Sequence, residues 1–219
     1  MLDLESDTCI ALHGGKLRFW PHFLSAQDSA QLFACLRAQT PWERSEIRIA
    51  GRQVAIPRLN AWYGDPGADY SYSGVHLTTT AWHQDLLDLK GKVEAATGFA
   101  FNSALLNLYR SGADSVDWHS DDEPELGSNP VVASVSLGTV RRFELKHRTI
   151  PASTHRLDLP DGSLLLMAGE LQHHWLHRVP KQRGVTGERI NITFRSVVSA
   201  VACEQSATSC DRTPGGVLT

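Results

Sequence analysis

From Gly98 onward the hydrophobic pattern of this chain switches from a helical period to a period of two, and nothing else in the sequence restricts its fold as strongly. Candidate strands fall at residues 103–109, 131–137, 142–148, 163–167, 173–179 and 189–198, separated by Gly, Pro, Asp and Asn turns. A strand that alternates apolar and polar residues buries only one face. Short strands at this density are therefore expected to form an antiparallel sandwich or barrel, mainly β, with flanking helices.

Upstream the period is helical in two places. Residues 21–38 read as a loop and then a helix: Ser25-Ala26-Gln27-Asp28 has the form of a capping box, Ala30, Phe33, Ala34 and Leu36 give a partial apolar face, and Pro41 stops it. A second helix is predicted to start near Thr79 or Thr80, to carry Trp82, Leu86, Leu89 and Val93 at helical spacing, and to end before Gly98. Residues 46–63 alternate around Ala50-Gly51, which predicts a hairpin, and a turn-rich loop follows over 64–74. With 219 residues, 42% of them hydrophobic, the chain can bury a sizeable core, so disorder as the main state is excluded. From Ser199 small and polar residues take over, which reads as a frayed tail.

A balance of 21 Lys+Arg against 24 Asp+Glu argues against holding nucleic acid by bulk positive charge, though it leaves room for a local basic patch. No apolar run approaches the ~20 residues that span a bilayer, and the start, Met1-Leu2-Asp3-Leu4-Glu5, is acidic where a signal peptide is basic. A soluble intracellular protein with no membrane partner is expected. Four cysteines without a CxxC pair indicate neither a zinc ribbon nor a disulfide framework. Ten histidines exceed what packing needs, and they point to metal or acid–base chemistry.

His-x-Asp occurs twice, as His83-Gln84-Asp85 and His119-Ser120-Asp121. Chance alone supplies the pattern somewhat less than about once in a chain with ten histidines, so geometry has to separate the two. His83 and Asp85 fall inside the second predicted helix, where residues two apart point to different faces and cannot share one ion. His119 and Asp121 follow a strand and a Gly turn in extended context, where such residues project from one face. A site of two histidines and one carboxylate needs a third ligand and leaves positions open for substrate and oxygen, which suits non-haem Fe(II). The candidates are His147, His155, His173, His174 and His177; strand alternation sets His173, Trp175 and His177 on one face, and the strand that follows favours His177.

In that strand Ile190, Ile192 and Phe194 make one apolar face, while Arg189, Asn191, Thr193 and Arg195 make a wholly polar one. As an edge strand it would simply show the polar face to water. If that face looks inward, two guanidiniums need partners, because burying them unpaired costs several kcal/mol each, and a small dicarboxylate would supply the pairing. On this strand alone both readings stay open.

Taken together, these residues resemble the AlkB family of Fe(II)- and 2-oxoglutarate-dependent nucleic-acid demethylases. The matching pieces, in order, are Pro57-Arg58, Tyr63-Gly64-Asp65, Tyr70-Ser71-Tyr72-Ser73-Gly74, Asn107-Leu108-Tyr109-Arg110-Ser111-Gly112, His119-Ser120-Asp121-Asp122-Glu123, Ala133-Ser134-Val135-Ser136-Leu137-Gly138, Trp175-Leu176-His177-Arg178-Val179-Pro180 and Arg189-x-Asn-x-Thr-Phe-Arg195. Their order makes the match more specific than any one motif. The resemblance implies a double-stranded β-helix (jelly roll) over residues 99–198, an N-terminal helix and hairpin lid for nucleotide recognition over 1–98, and a tail over 199–219. It implies His119, Asp121 and His177 as iron ligands, and Asn107, Tyr109, Arg189, Asn191 and Arg195 around 2-oxoglutarate, with Arg189 on the carboxylate far from the metal. With Fe(II), 2-oxoglutarate and O2, the implied activity is oxidative demethylation of 1-methyladenine- and 3-methylcytosine-type bases in DNA, or RNA, releasing formaldehyde, succinate and CO2. A monomer, cytoplasmic or nuclear in a eukaryote, accompanies that expectation.

A methylated, cationic base pairs poorly and is cheaper to flip out of a helix. Tyr72 and His119 are read as stacking on it, Tyr70 and Ser73 as contacts at its edge, and Asp122 and Glu123 as acceptors for its exocyclic amine. A solvated acidic loop is the competing account of the last two. Arg58 and Arg141, with Arg52, Arg142, Lys146, His147, Arg148, Arg178, Lys181 and Arg183, form the basic concentration expected to meet phosphates. Ala50 stands where duplex-preferring members of the family carry an aromatic wedge, so single strands are the expected preference. Two other readings remain: the same iron chemistry on a protein or small molecule, and a jelly-roll binding module without turnover.

Overall fold

Alternation becomes pairing in the computed structural model, which describes residues 7–49, 52–68, 70–72, 75–77 and 79–198. The first half of the chain forms β1 (Thr8–Leu12), β2 (Gly15–Trp20), α1 (Ala26–Gln39), β3 (Glu46–Ile49), β4 (Arg52–Ala55), β5 (Leu59–Gly64), β6 (Tyr70–Tyr72), β7 (Val75–Leu77) and α2 (Gln84–Thr97). The second half adds β8 (Ser103–Tyr109), β9 (Val116–His119), β10 (Val132–Gly138), β11 (Arg141–His147), β12 (Thr154–Leu159), β13 (Ser163–Ala168), a single helical turn α3 (Leu171–His174), β14 (Trp175–Val179) and β15 (Arg189–Arg195).

Seven strands pair antiparallel in the order β1-β2-β13-β10-β15-β8-β5, and a second sheet, β12-β11-β14-β9, lies across from them. The outward face of the larger sheet is apolar: Leu106, Leu108, Val135, Ile190, Ile192 and Phe194 pack with Leu36 of α1 and Leu86, Leu89 and Val93 of α2 in one buried cluster. Between the sheets, Leu17, Leu165 and Met167 meet Phe143, Leu145, Leu159 and Trp175 in a second. The inter-sheet space is therefore apolar at one end and, as described below, polar at the other. Ser25 caps α1, its Oγ accepting from Asp28 N at 3.1 Å, as the sequence predicts.

Four expectations need correcting. The helix α2 begins at Gln84 rather than near Thr79, because the His83 ring serves as its N-cap and accepts the Asp85 N–H at 3.2 Å. His173 and His174 sit in α3, not in the strand; strand alternation does not apply to them, and His173 contacts Ser128 O instead. β1, β2 and β5 all precede residue 99 yet belong to the main sheet, β2 through β13 and β5 through β8, so the core is not confined to residues 99–198. β12 was not anticipated: its Thr154-His155-Arg156-Leu157-Asp158-Leu159 is too polar to signal a strand, since its outward residues face water. The hairpin tip at Ala50-Gly51, the backbone of Ser73 and the 199–219 tail lie outside the described residues.

Candidate metal centre

His119 ends β9 and His177 sits mid-way along β14, directly opposite it in the register. Cross-strand neighbours are the closest pairs a sheet offers, and the two imidazole centroids are 4.3 Å apart. Asp121 follows two residues later in extended chain, turned into the same space, with its Oδ2 3.7 Å from His177 Nε2. Ligand atoms of the three residues all lie within 4.8 Å of one another, so the set could hold one metal ion. Its members are fixed from behind: His119 Nδ1 donates to Asp117 O at 2.8 Å, leaving Nε2 as the lone-pair nitrogen, and Asp121 N donates to Gln172 Oε1 at 3.0 Å.

The electrostatics suit a cation. Burial pushes His177 down to about 3, and neighbouring His119 adds to this while Asp121 opposes it. His119 is also lowered, by burial first. Burial works against ionisation of Asp121, yet Arg195, His177 and His119 together hold its carboxyl below the usual range. At neutral pH the set is thus two neutral imidazoles and a carboxylate, the protonation states that metal ligation requires.

β15 settles the question its sequence left open. It lies between β10 and β8 with every residue buried, so its polar face looks into the inter-sheet cavity. Arg189, Asn191, Thr193 and Arg195 line that cavity with Asn107, Tyr109, His119, Asp121 and His177. Arg189 is 1% exposed and makes one hydrogen bond, Nη2 to Ser136 Oγ at 2.9 Å, while its Nε and Nη1 have no hydrogen-bond partner. Its guanidinium carbon lies 5.2 Å from the Tyr109 ring centroid, and burial lowers its pKa to about 10. Asn191 Nδ2 donates to Ser134 Oγ at 2.7 Å, and Arg195 Nη2 donates to Asp121 Oδ1 at 2.6 Å. Arg195 thus faces the carboxylate of the donor set.

The basic residues divide differently from the sequence reading. Arg141 is 1% exposed and donates to Ser111 O, Asp114 O, Pro180 O and Gln182 Oε1; its donors are used inside the protein, so it is not at the surface to meet a phosphate. Arg58 is buried as well and donates to Asn107 Oδ1 at 2.7 Å, which places it in the cavity wall rather than on the hairpin. Asp122 pairs with Arg148 at 2.7 Å. Tyr70 and Tyr72 belong to β6, whose side chains lie outside the described residues.

Trp118 was missed. It points away from the metal residues, with Lys146 Nζ and Arg178 Cζ 4.4 and 4.3 Å from its ring centroid. It lines an open groove of about 580 Å³ with His119, Arg58, Arg178, Lys181 and Val54 and Ile56 of the hairpin region. The signal was an aromatic residue beside a candidate ligand, in Asp117-Trp118-His119, with basic residues on the neighbouring strands.

Two histidines and a carboxylate between the sheets of a jelly roll, beside a buried cation with unused donors, define the class of non-haem iron oxygenases that take a 2-oxo acid. The family described as the 2OG-Fe(II) oxygenase superfamily matches residues 16–195. Alpha-ketoglutarate-dependent dioxygenase alkB homolog 3 of Bos taurus is 42% identical over 189 residues, covering 81% of this chain and 64% of that protein. DNA oxidative demethylase ALKBH2 of Arabidopsis thaliana is 36% identical over 214 residues, covering 85% of this chain and 68% of that protein. The chain therefore belongs to the AlkB family within the 2OG-Fe(II) oxygenase superfamily. It spans about two thirds of the length of these curated relatives. Among solved structures, OsALKBH1 shares the fold with a TM-score of 0.56 at 14% identity, over 86% of this chain and 100% of that one. A Trichoplax adhaerens prolyl hydroxylase does so at 0.57 and 14%, over 88% and 87%.

The family implies Fe(II), 2-oxoglutarate and O2. The residues fit: the donor set suits the metal, and the unused Nε and Nη1 of buried Arg189 suit a carboxylate. Among the described residues, no helix is long and apolar enough to cross a membrane.

Proposed function

We propose that this chain is an Fe(II)- and 2-oxoglutarate-dependent dioxygenase that demethylates N-alkylated bases of the 1-methyladenine and 3-methylcytosine type in DNA, with RNA as the alternative strand. The observation that carries this reading is one buried cavity shared by the His119–Asp121–His177 set and by a guanidinium with unused donors. His119, Asp121 and His177 would hold the metal, and Arg189 the remote carboxylate of 2-oxoglutarate, beside Tyr109, Asn107 and Asn191. Arg195 keeps Asp121 ionised and oriented. When bound, iron and 2-oxoglutarate supply oxidation of an N-methyl carbon by O2, with formaldehyde, succinate and CO2 as products. No protein nucleophile is needed. The protein's part is to orient both substrates and exclude water, which the burial of Asp121, His177 and Arg189 provides.

The groove beside His119 supports a nucleic acid as the other substrate, since Trp118, Arg178 and Lys181 join an aromatic surface to positive charge next to the metal residues. The name of the Arabidopsis relative, a DNA oxidative demethylase, points the same way. Tyr70, Tyr72 and Ser73 are the proposed base contacts from the N-terminal half of the chain, with Asp122 and Glu123 on the metal side. Single strands are the proposed preference because Ala50 offers no wedge, and a monomer in the cytoplasm, or nucleus of a eukaryote, is the proposed setting. Turnover of 2-oxoglutarate with and without a 1-methyladenine oligonucleotide tests the reading. Formaldehyde and succinate in equal amounts, formed only with the oligonucleotide, are expected. Decay indifferent to the oligonucleotide would redirect the assignment to a protein or small molecule, and no decay to a binding module. A strong preference for duplex over single strand would remove the strand assignment.

A further inference from the structure

The other His-x-Asp, His83-Gln84-Asp85, is not used by the cavity. Helical geometry would have kept these two side chains apart, but His83 is the N-cap of α2, in extended conformation (φ −81, ψ 146), and its ring lies over the first helical turn. There His83 Nδ1 is 3.4 Å from Asp85 Oδ2. Cys35, from the last turns of α1, brings its Sγ to 2.8 Å from the same carboxylate oxygen. Donor atoms of the three all lie within 4.8 Å of one another, on two helices with no metal-centre residue between them.

We propose that Cys35, His83 and Asp85 form a second metal site, independent of the catalytic cavity, that takes Zn²⁺ and ties α1 to α2. Three observations support it. The donor set is thiolate, imidazole and carboxylate, which a tetrahedral zinc ion accepts and a hard cation such as Mg²⁺ does not favour. The tautomer is already fixed: His83 Nε2–H is held by Gln39 Oε1, so the lone pair is on Nδ1; metal binding takes that lone pair over from the Asp85 N–H it accepts in the metal-free protein, exchanging the capping bond for the metal bond. The spacing agrees as well, since bonds of about 2.0–2.1 Å give a tetrahedral edge of roughly 3.3–3.4 Å, and the His83–Asp85 separation is 3.4 Å. The Cys35–Asp85 contact is shorter than an edge because the thiol donates to the carboxylate. Metal binding replaces that proton, which passes to solvent, and the sulfur moves outward by a fraction of an ångström. Access is open, because Cys35 and Asp85 line a groove between the helices with Asp28 and Asp88, whose two negative charges outnumber the one positive charge of Lys92 there. Water fills the fourth position.

Chelator-treated protein titrated with Co²⁺ alone tests the proposal without reference to activity. A thiolate-to-cobalt charge-transfer band in the near ultraviolet is expected, which the sulfur-free His119–Asp121–His177 set cannot produce. Cys35→Ser should abolish the band and reduce bound cobalt from two ions per chain to one, whereas the double variant His119→Ala/Asp121→Ala should keep it. His83→Asn, which retains a capping side chain and so the fold, should weaken cobalt binding at this site by about 10-fold or more, since losing a ligand costs at least as much as losing a group that orients one. Zn²⁺ should displace the cobalt, and should raise the melting temperature of His119→Ala/Asp121→Ala, where only the proposed site remains, but not of that variant with Cys35→Ser added. A wild-type titration without the band, or a band that survives in Cys35→Ser, overturns the site.

Discussion

Replacing Arg189 with Met separates the cost of a buried cation from its use. The charge is not discounted by solvent, since the residue is 1% exposed. A pKa reduced from the ordinary guanidinium value to about 10 corresponds to about 3 kcal/mol held against the charged form at every pH below about 10. Met removes that penalty while filling similar space. It also removes the hydrogen bond to Ser136 Oγ and the contact with the Tyr109 ring, each worth about 1 kcal/mol. The remainder is a gain of about 1 kcal/mol, which in a domain of this size raises the melting temperature of the metal-free protein by roughly 2–4 °C. Binding of 2-oxoglutarate moves the other way. Loss of a buried charged pair costs about 2–5 kcal/mol, so KM for 2-oxoglutarate should rise from about 30-fold to several thousand-fold. Scanning fluorimetry and succinate formation at graded 2-oxoglutarate measure the two effects on one preparation. If Arg189→Met melts well below the wild type, or leaves KM unchanged, then the guanidinium serves the fold and the diacid is bound elsewhere.

Three other perturbations read different parts of the molecule. His177 has a folded pKa of about 3 against 6.5 ordinarily, so the unfolded chain binds a proton that the native one does not; metal-free stability should fall by about 1.4 kcal/mol per pH unit from about 6.5 downward, and urea melts of His177→Gln should show a shallower slope, coincident profiles counting against it. Trp118→Ala should raise KM for the oligonucleotide about tenfold, in line with a lost stacking contact, while oligonucleotide-independent 2-oxoglutarate decay is unchanged; equal loss of both would make Trp118 structural. Arg141→Met leaves four acceptors without their donor and should cost about 3 kcal/mol or more in denaturant unfolding, with the salt dependence of oligonucleotide binding unaltered. A shallower salt slope would restore it to the phosphate-contacting surface.

The sequence was most legible where periodicity and chemistry coincide. Arg189-Ile190-Asn191-Ile192-Thr193-Phe194-Arg195 showed two faces, and the structure only had to say which one was inside. His119 and Asp121 were found through extended spacing, which survives small errors in strand limits. His83 reads as helical in sequence because nothing there marks it as a cap: the capping residue decides the geometry, and a histidine is an uncommon cap. Arg141 and Arg58 read as surface charges because a sequence does not display the backbone carbonyls that consume an arginine's donors. β12 escaped for a related reason. Strands at the margin of a sheet that faces water carry too few apolar residues to announce themselves, and their pairing is fixed by partners far along the chain.

The position of β15 also governs when this protein can fold. It is the last described strand in the chain, yet it lies in the interior of the larger sheet, with β10 and β8 hydrogen-bonded to either side. While the chain emerges from the ribosome, β8 and β10 exist without the strand that separates them, and each presents an unsatisfied edge flanked by apolar residues. Arg189, Asn191 and Arg195 arrive together on that final insertion, so the polar wall they give the cavity assembles in one late step. The Arg195–Asp121 bond also waits for it. A nascent or truncated chain lacking these seven residues is accordingly an aggregation hazard rather than a weak enzyme.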